Sequence, residues 1–524
     1  MIKGIPAAIA AICAVMILTA GEEVRLGEKD FRLGHFVDGG AEVDVSFSDG
    51  VFTVDIPAQP GLSNATRGAV FMLPLKSLLG KGLQIRGEVR YDGIVCEPGN
   101  PHAGGKILAY NGRDGNKNFF VSPVLRGSCR QWQPISLYCD FPEGIDEGQI
   151  VLGIQQGWGR LQFRNVAIEE FPVTAFTDVQ LPEGFKCSYT SRVTANSPRR
   201  GVMSPPWSRF GEADVRELAK WGVNLVRYQI VDGCPDVTDI DGYRQWFSRA
   251  LDHLESLMPL LEQHGIQVIV DMHHVIGGRC RGKVDGEGNP LDPSHFQIME
   301  DDRYRDAFIG IWQQTARRFK GNRLIYAYDL CNEPIQHGRA RHSFWQVQYA
   351  AARAIRKIDP EVPVMVEGNH MANPVFFEMA PMPLDNIIYS IHMYAPGEYT
   401  HQGVSDLSYV KTFYSSRYDY RDAGWDRARL AQSMAAVRKF ERQYGARIQV
   451  GEFSVAVWAP GGAAYLDDLV SIFEEYGWDW TYHAFREWEG WSLEHEGTPD
   501  AITRAAAPTD RLKVMLKYFS RNKK

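Results

Sequence analysis

The chain has 524 residues, of which 44% are hydrophobic and 23% are charged, and such values are typical of globular proteins that bury a large core. A chain of this length predicts two folded domains rather than one. The formal net charge of −7 argues against a nucleic-acid partner, which needs a basic binding face, but it is compatible with an uncharged ligand.

The first residues of the chain are typical of a secretory signal. Lys3 supplies a positive charge, residues 5–18 form an apolar segment, and residues 19–21 are the small residues Thr-Ala-Gly. The apolar segment is shorter than a membrane-spanning helix needs. We therefore expect residues 1–21 to be a signal peptide and the protein to be secreted, to the extracellular space or the periplasm, with no further membrane association. An uncleaved anchor is the alternative.

Seven of the eight cysteines follow this segment, so an exported protein keeps at least one free thiol. Cys331 lies in an apolar run beside a candidate catalytic residue and is the thiol that we expect to be free. Cys234 with Cys280, and Cys129 with Cys139, are two pairings that the sequence allows without fixing either.

Residues 22–171 predict an all-β domain. Runs in which apolar and polar residues alternate with period two occur at 41–47, 83–89 and 161–168. Such runs indicate antiparallel strands with one buried face, and Asn111-Gly112 and Asp114-Gly115 are signals for turns between them. Repeated short strands over this length favour a β-sandwich of jelly-roll type.

This all-β segment resembles, weakly, the carbohydrate-binding sandwiches that accompany many polysaccharide hydrolases. Trp132 and Trp158 are the candidate stacking residues, because a flat indole ring covers the apolar face of a sugar. Core packing is the alternative for both side chains. A sandwich that only braces the rest of the protein is equally compatible with the pattern.

Residues 172–198 are rich in Pro, Ser and Thr and predict a linker. Over residues 199–524, short apolar runs then alternate with amphipathic helical segments. The predicted strands lie at 200–203, 224–228, 266–273, 324–332, 363–367, 387–394, 448–452 and 480–487. Eight such β-then-α units predict a (β/α)8 TIM barrel, so the expected fold class is α/β, with a jelly-roll-like sandwich preceding the barrel.

Polar residues collect at or just beyond the ends of the predicted barrel strands. In a TIM barrel, the C-terminal ends of the strands carry the active site. The residues concerned are Arg227, His273, Asn332, Glu333, His392, Tyr394, Glu452 and Trp488. Their positions predict one site in the mouth of the barrel.

Two glutamates of this set, Glu333 in Asn-Glu-Pro and Glu452 in Gly-Glu-Phe, end separate strands. A retaining glycosidase needs one carboxylic acid to protonate the leaving oxygen and one carboxylate to attack the anomeric carbon. We predict Glu333 as the acid/base and Glu452 as the nucleophile, with their carboxyl groups about 5 Å apart. For either glutamate alone, a solvated position on the rim is the alternative.

Three further residues suit supporting roles. Arg227 and Tyr394 are expected to donate hydrogen bonds to Glu452 and to keep it ionised and oriented. The amide of Asn332 suits the sugar 2-hydroxyl, a contact that strengthens in the transition state. A purely structural ion pair is the alternative for Arg227.

His273 and His392 are suited to holding sugar hydroxyls or orienting the carboxylates, and Trp488 to stacking on the sugar, with Trp491 as a competitor for that role. The neighbouring His273 and His274 do not predict a metal site, because adjacent residues of a strand point to opposite faces. We therefore expect neither a metal nor a cofactor.

The stretch 199–519 resembles glycoside hydrolase family 5, the cellulase family of clan A. The resemblance rests on Arg227, Asp271-Met272-His273, Asn332-Glu333-Pro334, His392-Met393-Tyr394, Gly451-Glu452-Phe453 and Trp488. It implies Glu333 as acid/base, Glu452 as nucleophile and supporting roles for the others. The position of Trp488 is the least secure of these, since the run 485–491 allows more than one alignment.

These observations predict a secreted retaining endo-β-1,4-glucanase that binds a β-linked polysaccharide or oligosaccharide. Within the same chemistry, a β-mannanase or a hydrolase of xyloglucan or mixed-linkage glucan is the alternative, because a fold does not choose a substrate. A non-catalytic polysaccharide-binding protein is the alternative of another class.

Overall fold

The structure, a computed structural model, describes residues 23–25, 32–36, 44–58, 66–72, 78–79, 81–96, 103–113, 116–141, 145–171, 177, 179–194, 198–284, 291–336, 340–377, 379–404, 418–422 and 424–522. It divides into two compact units, one made mainly of residues before Thr174 and one made mainly of residues after Val173. The predicted signal peptide, residues 1–21, lies outside the described residues.

The first unit is an all-β sandwich of two sheets. Its strands are β1 Glu23–Arg25, β2 Arg32–Phe36, β3 Asp44–Ser48, β4 Val51–Ile56, β5 Thr66–Met72, β6 Lys81–Cys96, β7 Gly104–Arg113, β8 Asn116–Val121, β9 Gly127–Phe141, β10 Glu147–Gln155 and β11 Gly157–Phe171. One sheet has the order β3-β4-β11-β6-β9, with β1 also paired to β11, and the other has the order β2-β5-β10-β7-β8. The expected all-β region before the barrel is thus confirmed.

Alternation along the strands builds the core of the sandwich. In β4, Phe52, Val54 and Ile56 point inward while the residues between them are half-exposed. They pack against inward residues of the other sheet, such as Phe71 and Ile150, in one apolar cluster. Burial of this period-two face is what holds the two sheets together.

The two predicted turns within the sandwich have different outcomes. Asn111 and Gly112 are not a turn, since they pair with Gly148 and Glu147 inside the sheet. The predicted turn at 114–115 lies outside the described residues.

The two candidate stacking tryptophans are both engaged within the sandwich. Trp158 packs against the core. The guanidinium groups of Arg90 and Arg164 lie 4.6 and 4.5 Å from the ring centroid of Trp132. Cation–π contacts therefore already hold the Trp132 ring.

The second unit is a closed barrel of eight parallel strands, as predicted. The strands are β12 Arg200–Met203, β13 Leu225–Gln229, β14 Gln267–Asp271, β15 Ile325–Asp329, β16 Val364–Glu367, β17 Ile387–His392, β18 Arg447–Glu452 and β19 Asp479–Tyr482. A hairpin of β20 His495–Thr498 and β21 Ala501–Arg504 follows the last of them.

Helices follow the strands around the barrel. The α-helices among the described residues of the second unit are Ser191–Thr194, Glu212–Trp221, Ile240–His264, Gln297–Glu300, Asp302–Arg318, Phe344–Arg356, Gly397–Thr400, Arg427–Ser433, Ala435–Tyr444, Gly462–Tyr476 and Asp510–Phe519. Within the described ranges, every helix is too short or too polar to cross a lipid bilayer.

The barrel strands are buried on both faces, which is why they read as continuous apolar runs. Closure is made by β12, which pairs with both β13 and β19. A Cβ at Gly201 would lie 1.9 Å from the carbonyl oxygen of Leu225, so this strand contact requires glycine.

Strand eight differs most from expectation. It was predicted over 480–487, but β19 ends at Tyr482, and the residues from His483 onward form an irregular segment over the barrel mouth. Trp488 therefore lies well beyond the strand end. Ala484 and Phe485 are apolar, which is why the sequence predicts a longer strand, but they are buried in a loop outside the sheet.

The predicted linker 172–198 is not a free connection over its second half. Val193 packs inside the N-terminal end of the barrel with Leu225, Ile269 and Met365. The hydroxyl of Tyr189 donates to the carbonyl oxygen of Ile387 at 2.8 Å. This segment closes the bottom of the barrel, so its Ser and Thr residues misled the composition argument.

The described cysteines are free thiols, and neither predicted disulfide forms. Cys129 and Cys139 lie ten residues apart on the single strand β9, a separation of roughly 33 Å that a disulfide cannot bridge. Cys331 is a buried free thiol, as expected.

Candidate active site

The two predicted catalytic carboxylates lie together in the barrel mouth. Glu452 is the last residue of β18, and Glu333 follows β15 by four residues. One carboxylate oxygen of each, together with a ring nitrogen of His392, lies within 4.8 Å of the others. The Glu333 side chain is 29% exposed and that of Glu452 is 5% exposed, so only the first is open to solvent.

Backbone geometry explains why the two glutamates sit in these motifs. A Cβ at Gly451 would lie 3.0 Å from Nε2 of His392 and 2.6 Å from Oγ of Ser390, so only glycine lets strand β18 approach β17 here. Glu333 has a φ of 51°, a left-handed conformation that costs a residue with a Cβ about 1–2 kcal/mol.

Two hydrogen bonds fix the Glu333 backbone in this conformation. Its N–H donates to Oε2 of Glu367 at 2.7 Å, and its carbonyl oxygen accepts from Nη2 of Arg279 at 3.1 Å. A strained residue persists where its surroundings over-determine it, and such residues cluster at functional sites.

Arg227 is the centre of a fully buried ionic network. Its Nη1 donates to Oε1 of Glu452 at 2.6 Å, and its Nη2 donates to Oδ1 of Asn332 at 2.9 Å. It also contacts Asp329 at 2.9 Å and Asp271 at 3.1 Å. The predicted contact between Arg227 and Glu452 is present, and the amide oxygen of Asn332 is bound, which leaves Nδ2 as its donor.

The second oxygen of Glu452 is held from the other side. The hydroxyl of Tyr394 donates to Oε2 of Glu452 at 3.0 Å. Nδ1 of His392 lies 2.9 Å from Oε1 of Glu333 and 3.6 Å from Oε2 of Glu452. His392 therefore stands between the two carboxylates and contacts both.

The charges around Glu452 favour its ionised form. Burial alone raises the pKa of a carboxylate, but the neighbouring cations His392, His483, Arg227 and His273 outweigh burial and hold the pKa of Glu452 well below its usual range. Burial and the charge of Glu452 raise the pKa of the Tyr394 phenol, so it remains a proton donor. A carboxylate that is ionised and doubly hydrogen-bonded is suited to nucleophilic attack.

Three buried carboxylates share the network with Glu452. Asp271 belongs to the motif Asp271-Met272-His273 named above, whereas Glu367 and Asp329 were not singled out from the sequence. Glu367, the last residue of β16, contacts Arg227 at 3.2 Å and Nε2 of His392 at 3.1 Å. Asp329 and Asp271 end β15 and β14. Burial, opposed by the charge of Arg227, raises the pKa of Asp329 well above its usual range. Glu367 is the last residue of the predicted strand 363–367, whereas Asp329 lies inside the predicted strand 324–332, where the sequence predicts no site residue.

His273 lies beside the network, where its Nδ1 is 3.0 Å from Oδ2 of Asp271. Burial opposes its protonation, but the Asp271 carboxylate raises the pKa of His273 to about 9. His273 thus adds a positive charge to the mouth of the barrel. Its neighbour His274 has a lowered pKa, chiefly because of burial.

The two tryptophans that compete for the stacking position are placed differently. The Trp491 ring lies 6.5 Å from that of Tyr394 and 6.3 Å from that of His483, measured between centroids. Trp488 packs behind it, 5.3 Å from Trp491 and 6.0 Å from Trp458. Trp491, and not the predicted Trp488, therefore borders the residues that hold Glu452.

His483, directly after β19, is a further site residue that sequence reasoning missed. Its Nδ1 lies 2.7 Å from the Tyr394 hydroxyl, and its Nε2 lies 2.6 Å from Oε2 of Glu487. Because the sequence predicts a strand through residue 487, His483 falls inside that predicted strand and not at its end, where site residues are expected.

The cluster of Glu333, His392 and Glu452 has a spacing that a metal ion also accepts. Its donors are engaged, however. Both ring nitrogens of His392 contact carboxylates, at 2.9 and 3.1 Å, and the charges of Glu367 and Glu452 overcome burial and raise its pKa well above the usual range. A protonated imidazole has no lone pair for a metal, so these residues are suited to proton transfer and charge stabilisation instead.

Comparison with known proteins places this geometry in context. Endoglucanase C of Acetivibrio thermocellus is 23% identical over 299 residues, which are 52% of this chain and 83% of the relative. Cellodextrinase A of Ruminococcus flavefaciens is 23% identical over 275 residues, 51% of this chain and 75% of the relative. The crystal structure of Thermotoga maritima Cel5A in complex with cellobiose matches 62% of this chain and 99% of its own, at 16% identity and a TM-score of 0.47.

The match that assigns the family covers more than half of the chain. Residues 192–488 fit the sequence profile of cellulase (glycosyl hydrolase family 5), a range that includes both carboxylates and every strand of the barrel. The resemblance noted from the motifs is confirmed, and the chain belongs to glycosyl hydrolase family 5.

Proposed function

We propose that the protein is a secreted retaining endo-β-1,4-glucanase, with Glu452 as nucleophile and Glu333 as acid/base. One observation carries the proposal: an oxygen of each carboxylate lies within 4.8 Å of the other group. Retaining glycosidases keep their two carboxyl groups about 5–5.5 Å apart, whereas inverting enzymes separate them by about 6.5–9.5 Å to admit a water molecule.

The first step is attack of Glu452 on the anomeric carbon. A new bond forms between its carboxylate oxygen and that carbon while the glycosidic bond breaks, and Glu333 delivers its proton to the departing oxygen. Arg227 and Tyr394 bind separate oxygens of Glu452, at 2.6 and 3.0 Å, and so fix the plane of the carboxylate. Fixed orientation of this kind supplies part of the rate enhancement.

The second step releases the sugar from Glu452. Glu333, now ionised, removes a proton from water, whose oxygen attacks the anomeric carbon and breaks the bond to Glu452. The greater exposure of Glu333 suits this exchange with water. Two displacements at one carbon retain its configuration.

The substrate and the location are supported less directly. The relatives named above are an endoglucanase and a cellodextrinase, which favours a β-1,4-glucan. Secretion rests on the composition of residues 1–21. The division into a β-sandwich over 22–171 and a catalytic barrel is part of the same proposal.

Replacement of the nucleophile tests the role of Glu452. Glu452→Ala is expected to lower hydrolysis by at least ~10⁴-fold, because the covalent intermediate cannot form. Reducing-sugar release and thermal unfolding are measured together. The exposed Glu489, changed to Ala, is the matched control and should keep full activity. Near-normal turnover by Glu452→Ala removes it from the nucleophile role.

Azide rescue separates the two glutamates. Glu333→Ala should still cleave aryl glycosides with good leaving groups, which need little protonation, and azide should then give a β-glycosyl azide of retained configuration. NMR of the product identifies its anomeric form. An azide product of inverted configuration assigns the nucleophile role to Glu333 instead.

A substrate panel tests the specificity. Soluble cellulose derivatives, mannan, xyloglucan and mixed-linkage glucan are compared by initial rate and by the size of the products. Fast viscosity loss on the cellulose derivative is the expected result for endo action. Preference for mannan or xyloglucan rejects the glucanase assignment while leaving the mechanism intact.

A further inference from the structure

Three side chains beside the nucleophile contact one another in succession. Neither the family assignment nor the proposed mechanism explains the role of all three. Tyr394 contacts Glu452, His483 contacts Tyr394, and Glu487 contacts His483, at 3.0, 2.7 and 2.6 Å. His483 and Glu487 are 13% and 22% exposed. They border the open mouth of the barrel rather than its apolar interior.

The number of protons on Tyr394 and His483 decides which atom donates in each of their contacts. A phenol carries one proton, and that of Tyr394 is donated to Oε2 of Glu452. The 2.7 Å contact with His483 then requires Nδ1 to carry a proton, which the phenol oxygen accepts. If Nδ1 were unprotonated, it would compete for the phenol proton and Glu452 would lose one of its two donors.

We propose that His483 and Glu487 are positioning residues that direct the phenol proton of Tyr394 onto the nucleophile Glu452. Glu487 contacts Nε2 and favours the doubly protonated imidazole, whose Nδ1–H faces the phenol oxygen. This inference rests on the proposed function, because it assumes that Glu452 is the nucleophile. It adds to that function a reason why the segment after β19 folds back over the site.

The electrostatics agree with this arrangement. Burial disfavours protonation of His483, but the charges of Glu487 and Glu452 raise its pKa. Burial raises the pKa of Glu487, yet His483 holds it below the usual range. The groups that face His483 and Glu452 from the surrounding strands and loops are Arg227, His273, Glu333, His392, Tyr394 and His401.

The position of the charge has a measurable consequence. Nδ1 of His483 lies 3.9 Å from Oε2 of Glu452, so the imidazolium helps to keep the nucleophile ionised. An opposite charge at 4–6 Å lowers a carboxylate pKa by roughly 1–3 units. Loss of His483 should therefore be visible in the pH dependence of the reaction and not only in its rate.

His483→Gln is the main test. We expect the acidic limb of the pH profile of kcat/KM to move to higher pH by roughly one unit, because Glu452 loses a neighbouring cation. At neutral pH, kcat/KM should fall roughly tenfold, the effect of losing one charge-assisted hydrogen bond. An acidic limb that stays in place in a folded His483→Gln variant overturns the inference.

A double-mutant cycle with Tyr394→Phe tests the route of the effect. If His483 acts through the phenol proton, its replacement should cost at least threefold less in kcat/KM when Tyr394 is already Phe. Independent, multiplicative losses overturn the inference. Glu487→Gln, measured in the same cycle, carries the test if His483→Gln does not fold, since it leaves the imidazole in place.

Two further measurements keep the outcomes distinct. Glu489→Gln is the same substitution two residues beyond Glu487, at an exposed position, and should leave the pH profile unchanged. Labelling with a 2-deoxy-2-fluoro glycoside, followed by peptide mass analysis, identifies the nucleophile independently. A label on Glu452 with an unmoved acidic limb rejects only the positioning role, whereas a label on another residue rejects the proposed function as well.

Discussion

The two ends of the barrel each contain a buried arginine network, and they differ in composition. At the N-terminal end, Arg447 binds Asp479 through Nε and Nη2, at 2.9 and 2.7 Å. Tyr326 and the N–H of Arg199 also donate to Asp479. The Asp479 carboxylate thus accepts from Arg447, from Tyr326 and from the backbone of Arg199.

At the mouth of the barrel, one buried arginine is shared among several carboxylates. Arg227 contacts four carboxylates, those of Asp271, Asp329, Glu367 and Glu452. Histidines supply further positive charge, since the neighbouring carboxylates raise the pKa values of His273 and His392. Burial, against the charge of Arg227, raises the pKa of Asp329. A network of this composition depends on protonation states, whereas the pair at the bottom does not.

The difference indicates that the network at the N-terminal end stabilises the fold, whereas the network at the mouth serves catalysis. A balanced buried ion pair mainly resists unfolding, because removing one partner leaves the other charge uncompensated. A network with surplus carboxylates is a means of shifting pKa values, which is what an acid/base site needs. The predictions below test this division, beginning with the largest expected effect.

Asp479→Ala should destabilise the protein without changing its chemistry. Breaking a buried ion pair costs about 3–5 kcal/mol of unfolding free energy, since Arg447 is left without its partner. Chemical denaturation measures this loss, and kcat of the folded fraction should stay within about twofold of wild type. The control is Asp252→Ala, which removes an exposed partner of Arg318 and should cost less than about 1 kcal/mol. Equal effects of the two substitutions would contradict the comparison.

Protonated histidines in the barrel mouth should make the free energy of unfolding decrease as the pH rises above neutrality. The pKa of His273 is raised to about 9 in the folded protein, from about 6.5 when unfolded. Its contribution is therefore complete below pH 6.5 and disappears as the pH rises through 9, a loss of about 3 kcal/mol. His392 and His483, whose pKa values are also raised, act in the same direction.

Unfolding free energies measured between pH 6.5 and 9.5 test this expectation. His273→Gln should flatten the decline, while the same change at the exposed His264 should leave the slope unaltered. A wild-type stability that is constant over this range would show that the mouth is not held by protonated histidines.

Glu367→Gln should reduce activity more than stability. Glu367 holds the N–H of Glu333 at 2.7 Å and Nε2 of His392 at 3.1 Å, so it positions the acid/base without contacting substrate. A displacement of about 1 Å in such a group costs roughly a hundredfold in rate. Glu361→Gln, an exposed glutamate near the opposite end of the same strand, is the control. Full activity of Glu367→Gln would assign Glu367 a structural role alone.

These residues also show which parts of the fold and of the site the sequence predicts. The alternation of apolar strands with helices predicted the barrel, and the two glutamate motifs predicted the carboxylates that meet in its mouth. Glu367 ends a strand in the same way as Glu452 and is followed by Gly368, but it was not singled out from the sequence. Its importance depends on contacts with strands that are distant in the sequence, and periodicity contains no information on such contacts.

The errors have a common physical origin. Residues 187–193 resemble a linker in composition, but Val193 and Tyr189 pack against the N-terminal end of the barrel. The end of strand eight was placed too late because buried apolar residues continue into a loop. In both cases tertiary contacts, and not local preference, decide the structure.

The smallest predicted effect concerns the two tryptophans, where the sequence favoured the residue that lies farther from the site. Trp491→Phe should lower kcat/KM by roughly 3- to 10-fold, because the smaller ring loses contact with Tyr394 and His483, which hold the nucleophile. Trp488→Phe should stay within about twofold, since Trp488 packs against Trp458 and Trp491 instead. Both variants are compared by kcat/KM on a cello-oligosaccharide and by thermal unfolding. The opposite ranking, with Trp488 the more damaging position, would mean that the sugar lies on the outer side of the tryptophan cluster.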